Sequence, residues 1–484
     1  MSVEAAPKAP AAPARATAFR IRHRHWVGLI CAAAFWIYSL LGIIQLRMFR
    51  ATTFDLVIID QAVRGYSRFG LPAVPSVGVN HGRGLDYLQL ADHFSPIYAL
   101  LTPLYWVADR PQTLIYAQAA LFAAAIPSLW LFTRRALGIA PAYLVSVAYA
   151  ISWPIVQAAR FDVHEVMFVP VLTAVLVERV QAGRMRAAWV ALIGLLLVKE
   201  DMGLFVIGFG AYLAITGRRT HGLAAIAVGA LWTGLVRSLF IPLLGGDSSD
   251  FWAYGQIGKT IPDVLLTIFT SPVHTLALLV DETKLNTMIL LAWVVLFTCL
   301  LSPLTLAAVP LVLERMLSDR PFWWAADYQY NAFVVVILFC AGVDGAARLR
   351  RRFANVDVSM LWSVGVLVAA LTLIPRFPLY QLIRPDFYTM TPRVEAAYEA
   401  VSTVPDGVTV DAADTAGPAL TSRTTVLLWD GNQHNAPWVV ADITDPQWPI
   451  SNPDRQRQIA QDLVDQQGYE MVYQKEGWVV LHRP

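Results

Sequence analysis

The stretch Trp26–Leu46, WVGLICAAAFWIYSLLGIIQL, decides the fold class. It carries no charged side chain and is long enough to cross a hydrocarbon layer as a helix. Arg20, Arg22, His23, Arg24 and His25 precede it, in the manner of a signal-peptide start. The apolar run outlasts a signal core and no small-residue cleavage site follows, so it reads as an uncleaved first transmembrane helix. Backbone groups in lipid find partners only within such a segment, which argues for helix. A β-barrel would show short alternating segments instead.

Comparable runs recur along the chain. Eleven spans are expected, at about 26–46, 112–133, 138–158, 163–179, 187–199, 202–216, 221–243, 287–301, 303–318, 328–347 and 357–375. The composition agrees, with 56% hydrophobic and 15% charged residues and a mean hydropathy of +0.51. Soluble domains carry about a quarter charged residues. The net charge of +2 does not point to nucleic acid, because the basic residues lie between apolar runs. Cys31, Cys299 and Cys340 all fall inside apolar runs, without metal-ligand spacing.

The positive-inside rule orients the spans. With a cytoplasmic N-terminus, the inner loops hold Arg134–Arg135, then Arg179, Arg184 and Arg186, then Arg218–Arg219, then Arg348 and Arg350–Arg352. Residues 1–25 read as a disordered cytoplasmic tail, 26–375 as the membrane domain and 376–484 as an extracytoplasmic α/β domain. Two long outer loops, 47–111 and 244–286, are expected, and loops of that length are often functional. Phe94–Val107 in the first is too short to span and reads as a re-entrant or interfacial helix. In the soluble domain, strands are expected at Val408–Asp411, Thr424–Leu428, Trp438–Ile443, Tyr469–Tyr473 and Trp478–His482. Helices are expected at 393–403 and Arg455–Gln467.

Ionisable groups at membrane depth are costly and therefore informative. Four acidic groups gather on the outer side. Asp55 and Asp60 follow the first span, about 140° apart on a helix, so they do not share a face. Asp60 stands four before Arg64, the spacing of an ordinary ion pair, whereas Asp55 has no such partner. Asp92-His93 precedes the short interfacial helix, either as its cap or as a substrate or metal contact. Asp162, His164 and Glu165 enter the fourth span. A helix would bring Asp162 and Glu165 to one side, for a divalent cation or acid–base work. The blander alternative has Arg160 neutralise Asp162. Lys199-Glu200-Asp201 sits between two apolar runs, where Lys199 would suit a phosphate and the carboxylates a hydroxyl or the lysine itself. Arg315 and Arg320 precede an aromatic belt, Pro321–Trp324, followed by Tyr328 and Tyr330. No Gly-rich phosphate loop, Ser-His-Asp arrangement or zinc motif is present.

FDLVIIDQAVRGYSRFG from Phe54, DHFSPIYALLTPLYWV from Asp92, FDVHEVMFVP from Phe161 and LLLVKEDMGLFVIG from Leu195 together resemble a bacterial multi-pass family known as a domain of unknown function. That family is placed near the C-type (GT-C) glycosyltransferases. The resemblance covers roughly residues 26–350 and implies a GT-C-like, α-helical polytopic protein. It further implies an inverting glycosyltransferase of the bacterial cytoplasmic membrane, with a polyprenyl-phosphate sugar donor and a cell-envelope acceptor, surrounded by membrane lipids. The first-loop acid is then the catalytic base, which falls to Asp55, with Asp60 as alternate. Asp92, His93, His164, Glu165, Lys199, Glu200 and Asp201 match further motif positions of the family, and with Gln61, Asp162, Arg315, Tyr328 and Tyr330, singled out from the sequence itself, they are the candidate substrate contacts. A divalent cation is a possible cofactor. Family members often show Tyr-His-Tyr where this chain has Tyr328-Gln329-Tyr330. A lipid or solute transporter and a non-catalytic scaffold are the competing readings.

Overall fold

The computed structural model describes residues 14–247 and 249–484. The alanine- and proline-rich stretch before Ala14 lies outside the described residues. The first helix runs Ala14–Arg47, so it starts well ahead of the expected span.

All eleven expected stretches contain helix, but their lengths differ. Among the described residues, five helical segments are long and apolar enough to cross a bilayer singly: His23–Arg47, Gln112–Leu137, Ile139–Arg160, Arg219–Leu243 and Gln329–Arg352. Met185–Leu196, Met202–Ile215 and Val358–Thr372 are shorter apolar helices. The expected second outer loop is not structureless. Ile261–Thr270 and Pro272–Leu279 form an apolar pair bent by 102°, the shape of a broken or re-entrant span. Pro272 opens the second helix of the pair, and a residue before proline avoids the helical region, which explains a break at Ser271.

Ala332–Arg352 is the central helix. It packs against Gln112–Leu137, Val169–Gln181 and Val358–Thr372, and its apolar positions run around the whole helix, as a helix buried on all sides requires. Met202–Ile215 and Arg219–Leu235 form a close hairpin. A Cβ at Gly210 would stand 2.7 Å from the Gly222 carbonyl oxygen, so only glycine permits that approach.

The C-terminal region folds as a sheet. Strands β1 (Thr409–Ala412), β2 (Thr425–Leu428), β3 (Trp438–Asp442), β4 (Glu470–Lys475) and β5 (Trp478–His482) lie in the order β2-β1-β3-β5-β4. The first three are parallel; β5 is antiparallel to both β3 and β4. Val410 pairs with Val426 and with Trp438, and the three parallel strands are buried almost throughout, as expected for parallel strands covered on both faces. Helices Pro392–Ser402 and Pro453–Gln467 accompany the sheet.

This region is seated on the first loop. Phe49, just past the first helix, enters the soluble core against Trp478, edge-on to Tyr398 at 5.0 Å. Gln61 donates to the Val426 carbonyl at 2.8 Å, and Thr421 donates to Asp60 at 2.7 Å. The sheet is thereby tied to the segment that carries Asp55.

Candidate functional site

Asp55 sits in a short π-helical turn, Thr53–Val57, that precedes the helix Ile58–Ser67. Its Oδ1 stands 2.9 Å from His164 Nε2. Asp162, two residues before that histidine, accepts hydrogen bonds from the Thr52 amide at 2.9 Å and the Thr52 hydroxyl at 2.8 Å. The histidine's segment is therefore bound on both sides to the start of the first loop.

Residues 161–164 are not helical. Asp162 adopts a left-handed backbone with φ of 43°, which aspartate tolerates better than most residues. Helix resumes as a 3₁₀ turn at Glu165–Phe168. The expectation that Asp162 and Glu165 share a helix face is corrected on this ground: Asp162 faces Thr52, while Glu165 faces Lys199 at 3.1 Å. Arg160 balances Asp162 only at a distance: the two charges attract, but among the described residues the Arg160 side chain makes neither an ion pair nor a hydrogen bond, and Arg50, also without an ion pair, opposes its charge.

Glu165 also accepts from the Tyr98 hydroxyl at 3.3 Å. Next to Lys199, Glu200 Oε1 stands 2.9 Å from His93 Nδ1 and its other oxygen accepts from the Phe94 amide at 3.2 Å. Asp201 pairs with Arg237 at 2.7 Å. Asp55, His164, Glu165, Lys199, Glu200 and His93 thus form one continuous line of contacts drawn from four segments. Asp92 follows a different course from capping. It ends the turn Gln89–Asp92, Ser95 precedes the next helix without a side-chain cap, and Asp92 Oδ1 is buried with no hydrogen-bond partner.

Lys199 and Asp201 line a cavity of about 40 Å³ together with Glu314, Arg315, Trp323 and Tyr330. Glu314 accepts from the Tyr254 hydroxyl at 2.5 Å. Arg315 directs its guanidinium at protein oxygens: the Trp323 carbonyl at 2.8 Å, the Tyr330 carbonyl at 3.0 Å and Asn331 Oδ1 at 3.0 Å. It shapes the aromatic loop that lines the cavity. Tyr328 meets Phe161 edge-on at 5.1 Å. Gln329, where the resemblance leads one to expect histidine, is buried with Oε1 unpartnered.

Asp60 stands apart from this network. It is fully enclosed, 2.6 Å from Arg64, and accepts from Tyr105 at 2.5 Å and Thr421 at 2.7 Å. The ion pair expected from its spacing is present, and Asp60 together with Gln61 anchors the soluble domain. Asp55 is the more open acid. Its side chain is 28% exposed, against 19% for Asp201, 11% for Glu165 and 4% for Glu200.

Sequence reasoning missed several participants. Gln118 donates to the Asp162 carbonyl at 2.7 Å and accepts from the His164 amide at 3.3 Å, pinning the turn from a neighbouring helix. Arg237, Glu314 and Asp414 were also missed. Arg237 and Glu314 are charged residues inside apolar runs, a signal available in the sequence, whereas Asp414 is one aspartate among several in the soluble domain. Among the described residues, no group of three or more His, Cys, Asp or Glu side chains is placed to hold a metal ion.

Residues 45–480 match the family described as "Predicted membrane protein (DUF2079)". The chain belongs to this family. No curated protein matches it. Among solved structures it is similar to ArnT from Cupriavidus metallidurans bound to undecaprenyl phosphate, at 12% identity and a TM-score of 0.49, over 94% of this chain and 98% of that one. It is also similar to the Archaeoglobus fulgidus oligosaccharyltransferase tethered with an acceptor peptide, at 10% identity and a TM-score of 0.44, over 90% of this chain and 72% of the other. The same oligosaccharyltransferase in complex with Zn and sulfate gives 11% identity and 0.46, over 86% and 68%.

Proposed function

We propose that this family member is a membrane glycosyltransferase that moves a sugar from a polyprenyl-phosphate donor to a hydroxyl acceptor at the outer face of the bacterial cytoplasmic membrane. The observation that carries the reading is Asp55: a part-exposed carboxylate held by a nearly enclosed histidine at 2.9 Å, just after the first span. Asp55 takes the proton from the acceptor hydroxyl as that oxygen bonds to the anomeric carbon. The anomeric carbon–oxygen bond to phosphate breaks, and the phosphate leaves with the electron pair, inverting the centre.

The leaving phosphate needs positive charge. Lys199 is matched by Glu165 and flanked by Glu200 and Asp201, so it is a weaker partner than its sequence position suggests. Arg50 and Arg160, on the Asp162 side, carry no ion pair among the described residues and suit that anion better.

The test is transfer by the purified full-length protein in lipid vesicles supplied with labelled polyprenyl-phosphate sugars. Transfer or hydrolysis is expected, and Asp55→Asn should abolish it. Equal activity in that variant removes Asp55 from the role, and no turnover of any donor removes the reading. Accessibility labelling of single cysteines introduced after Arg47 and after Arg352 tests the orientation.

A further inference from the structure

Asp414 follows β1 in the soluble domain, 359 positions along the chain from Asp55 (414 − 55), and is buried. Its carbonyl oxygen accepts from the Thr53 amide at 2.7 Å and the Thr53 hydroxyl at 2.8 Å. Its carboxylate Oδ1 accepts from the same Thr53 amide at 3.0 Å and from the Phe54 amide at 3.2 Å. These amides open the π-helical turn on which Asp55 sits, and the first amides of a helix have no partner within it. The approach is close. A Cβ added at Gly417, three residues after Asp414, would stand 2.1 Å from Thr53 Oγ1. On the far side of the turn, Gln61 and Asp60 hold Val426 and Thr421 of the same domain.

We infer that Asp414 is a positioning residue. By supplying the acceptors for the Thr53 and Phe54 amides, it fixes the backbone that aims Asp55 at His164, so the soluble domain completes the site. Its effect on turnover rests on the glycosyl-transfer reading, whereas its effect on the backbone does not. A π-helical turn without these acceptors leaves buried amides unsatisfied, and the turn would rewind to find others. Rewinding by one residue turns Asp55 away from His164.

Three variants of the full-length protein test this. Asp414→Val removes the carboxylate acceptor. Asp414→Asn keeps an acceptor oxygen in the same place. Gly417→Ala suits its helical turn but pushes Thr53 away. Backbone amide exchange over Thr53–Val57 should quicken about tenfold or more in Asp414→Val and Gly417→Ala, with exchange in β1 and β2 unchanged as the folding control. Turnover should fall in both with KM unchanged, the mark of a lost transition-state arrangement. Asp414→Asn should restore both readouts. Unchanged exchange in Gly417→Ala, or faster exchange with unaltered turnover, overturns the role. If exchange responds as stated and the unaltered protein transfers no sugar, the glycosyl-transfer reading falls while the control of the Asp55 backbone stands.

Discussion

His164 Nε2 lies 2.9 Å from Asp55 Oδ1, and its other ring nitrogen is buried without a partner. The imidazole therefore has one polar contact, and that contact orients the carboxylate. His164→Ala should leave Asp55 free to turn and lower kcat by about 10²-fold or more, with a smaller change in KM. His164→Gln, which keeps a donor near the Nε2 position, should recover part of the loss. Initial rates of donor turnover in vesicles measure both.

Glu165 and Lys199 are 11% and 13% exposed and stand 3.1 Å apart. Removing one partner of such a pair leaves the other charge enclosed without its ion-pair partner, a loss of roughly 3–5 kcal/mol. Glu165→Gln and Lys199→Met should each lower the unfolding temperature in detergent substantially. The double variant should recover much of it, because neither charge is then left alone. Thermal scans of the four proteins give the coupling directly.

The fold was legible where the side-chain pattern alone decides it. The β-strands and the two soluble helices were expected within a residue or two, because alternating valines bounded by turn residues read as strand in any context. The apolar runs were equally plain. Their division into spans was not, since a run such as Met185–Leu196 has the composition of a membrane helix and only half its length. The 261–279 pair was read as loop because Ser271-Pro272 splits its apolar run.

The site was legible in its residues and less so in its pairings. Asp55 meets His164 across 109 positions of the chain and His93 meets Glu200 across 107, while Lys199 meets Glu165 across a shorter stretch, and no spacing rule reaches any of these pairings. Asp162 misled because three-residue spacing implies a helix face, and the backbone there is left-handed instead. Asp414 carried no signal, being one aspartate among several in a polar domain.

Gly345 on the central helix faces the backbone of the segment after Trp293. A Cβ there would stand 2.0 Å from the Thr298 carbonyl oxygen. Backbone cannot swing aside as a side chain can. Gly345→Ala should cost about 1–3 kcal/mol through overpacking, despite alanine's better helix propensity. A lowered unfolding temperature with unchanged helical circular dichroism at low temperature is the expected outcome.

Burial pushes the Asp414 carboxyl up to about 7, and the charges of Asp55 and Asp162 push the same way against the Phe54 and Thr53 amides. The folded state thus holds this proton more tightly than the unfolded chain, where an aspartate titrates near about 3.9. Raising the pH from about 4 to about 7 therefore costs stability, and the cost levels off above that. Asp414→Asn cannot titrate and should show a flatter stability profile across that window. Unfolding temperatures of the two proteins from pH 4 to 8 measure the difference.

His434 stands 2.8 Å from Asp411 and 3.4 Å from Asp430, on opposite ring nitrogens. Burial works against its charge, but the hydrogen bonds and charges of the two carboxylates outweigh that and hold it up to about 10. Asn80 of the first loop donates to Asp430 at 2.7 Å, so this cluster also touches the seat of the soluble domain. A raised histidine stabilises the fold fully below its ordinary titration near about 6.5, and that contribution is lost as pH rises toward about 10. Above that range the two aspartates face each other without the cation between them. The native protein should lose stability between those limits, and His434→Gln, already lacking the charge, should be less stable near pH 6 and nearly level across the same range. If both proteins fall in parallel from pH 6.5 to 10, the imidazolium does not hold the soluble domain together.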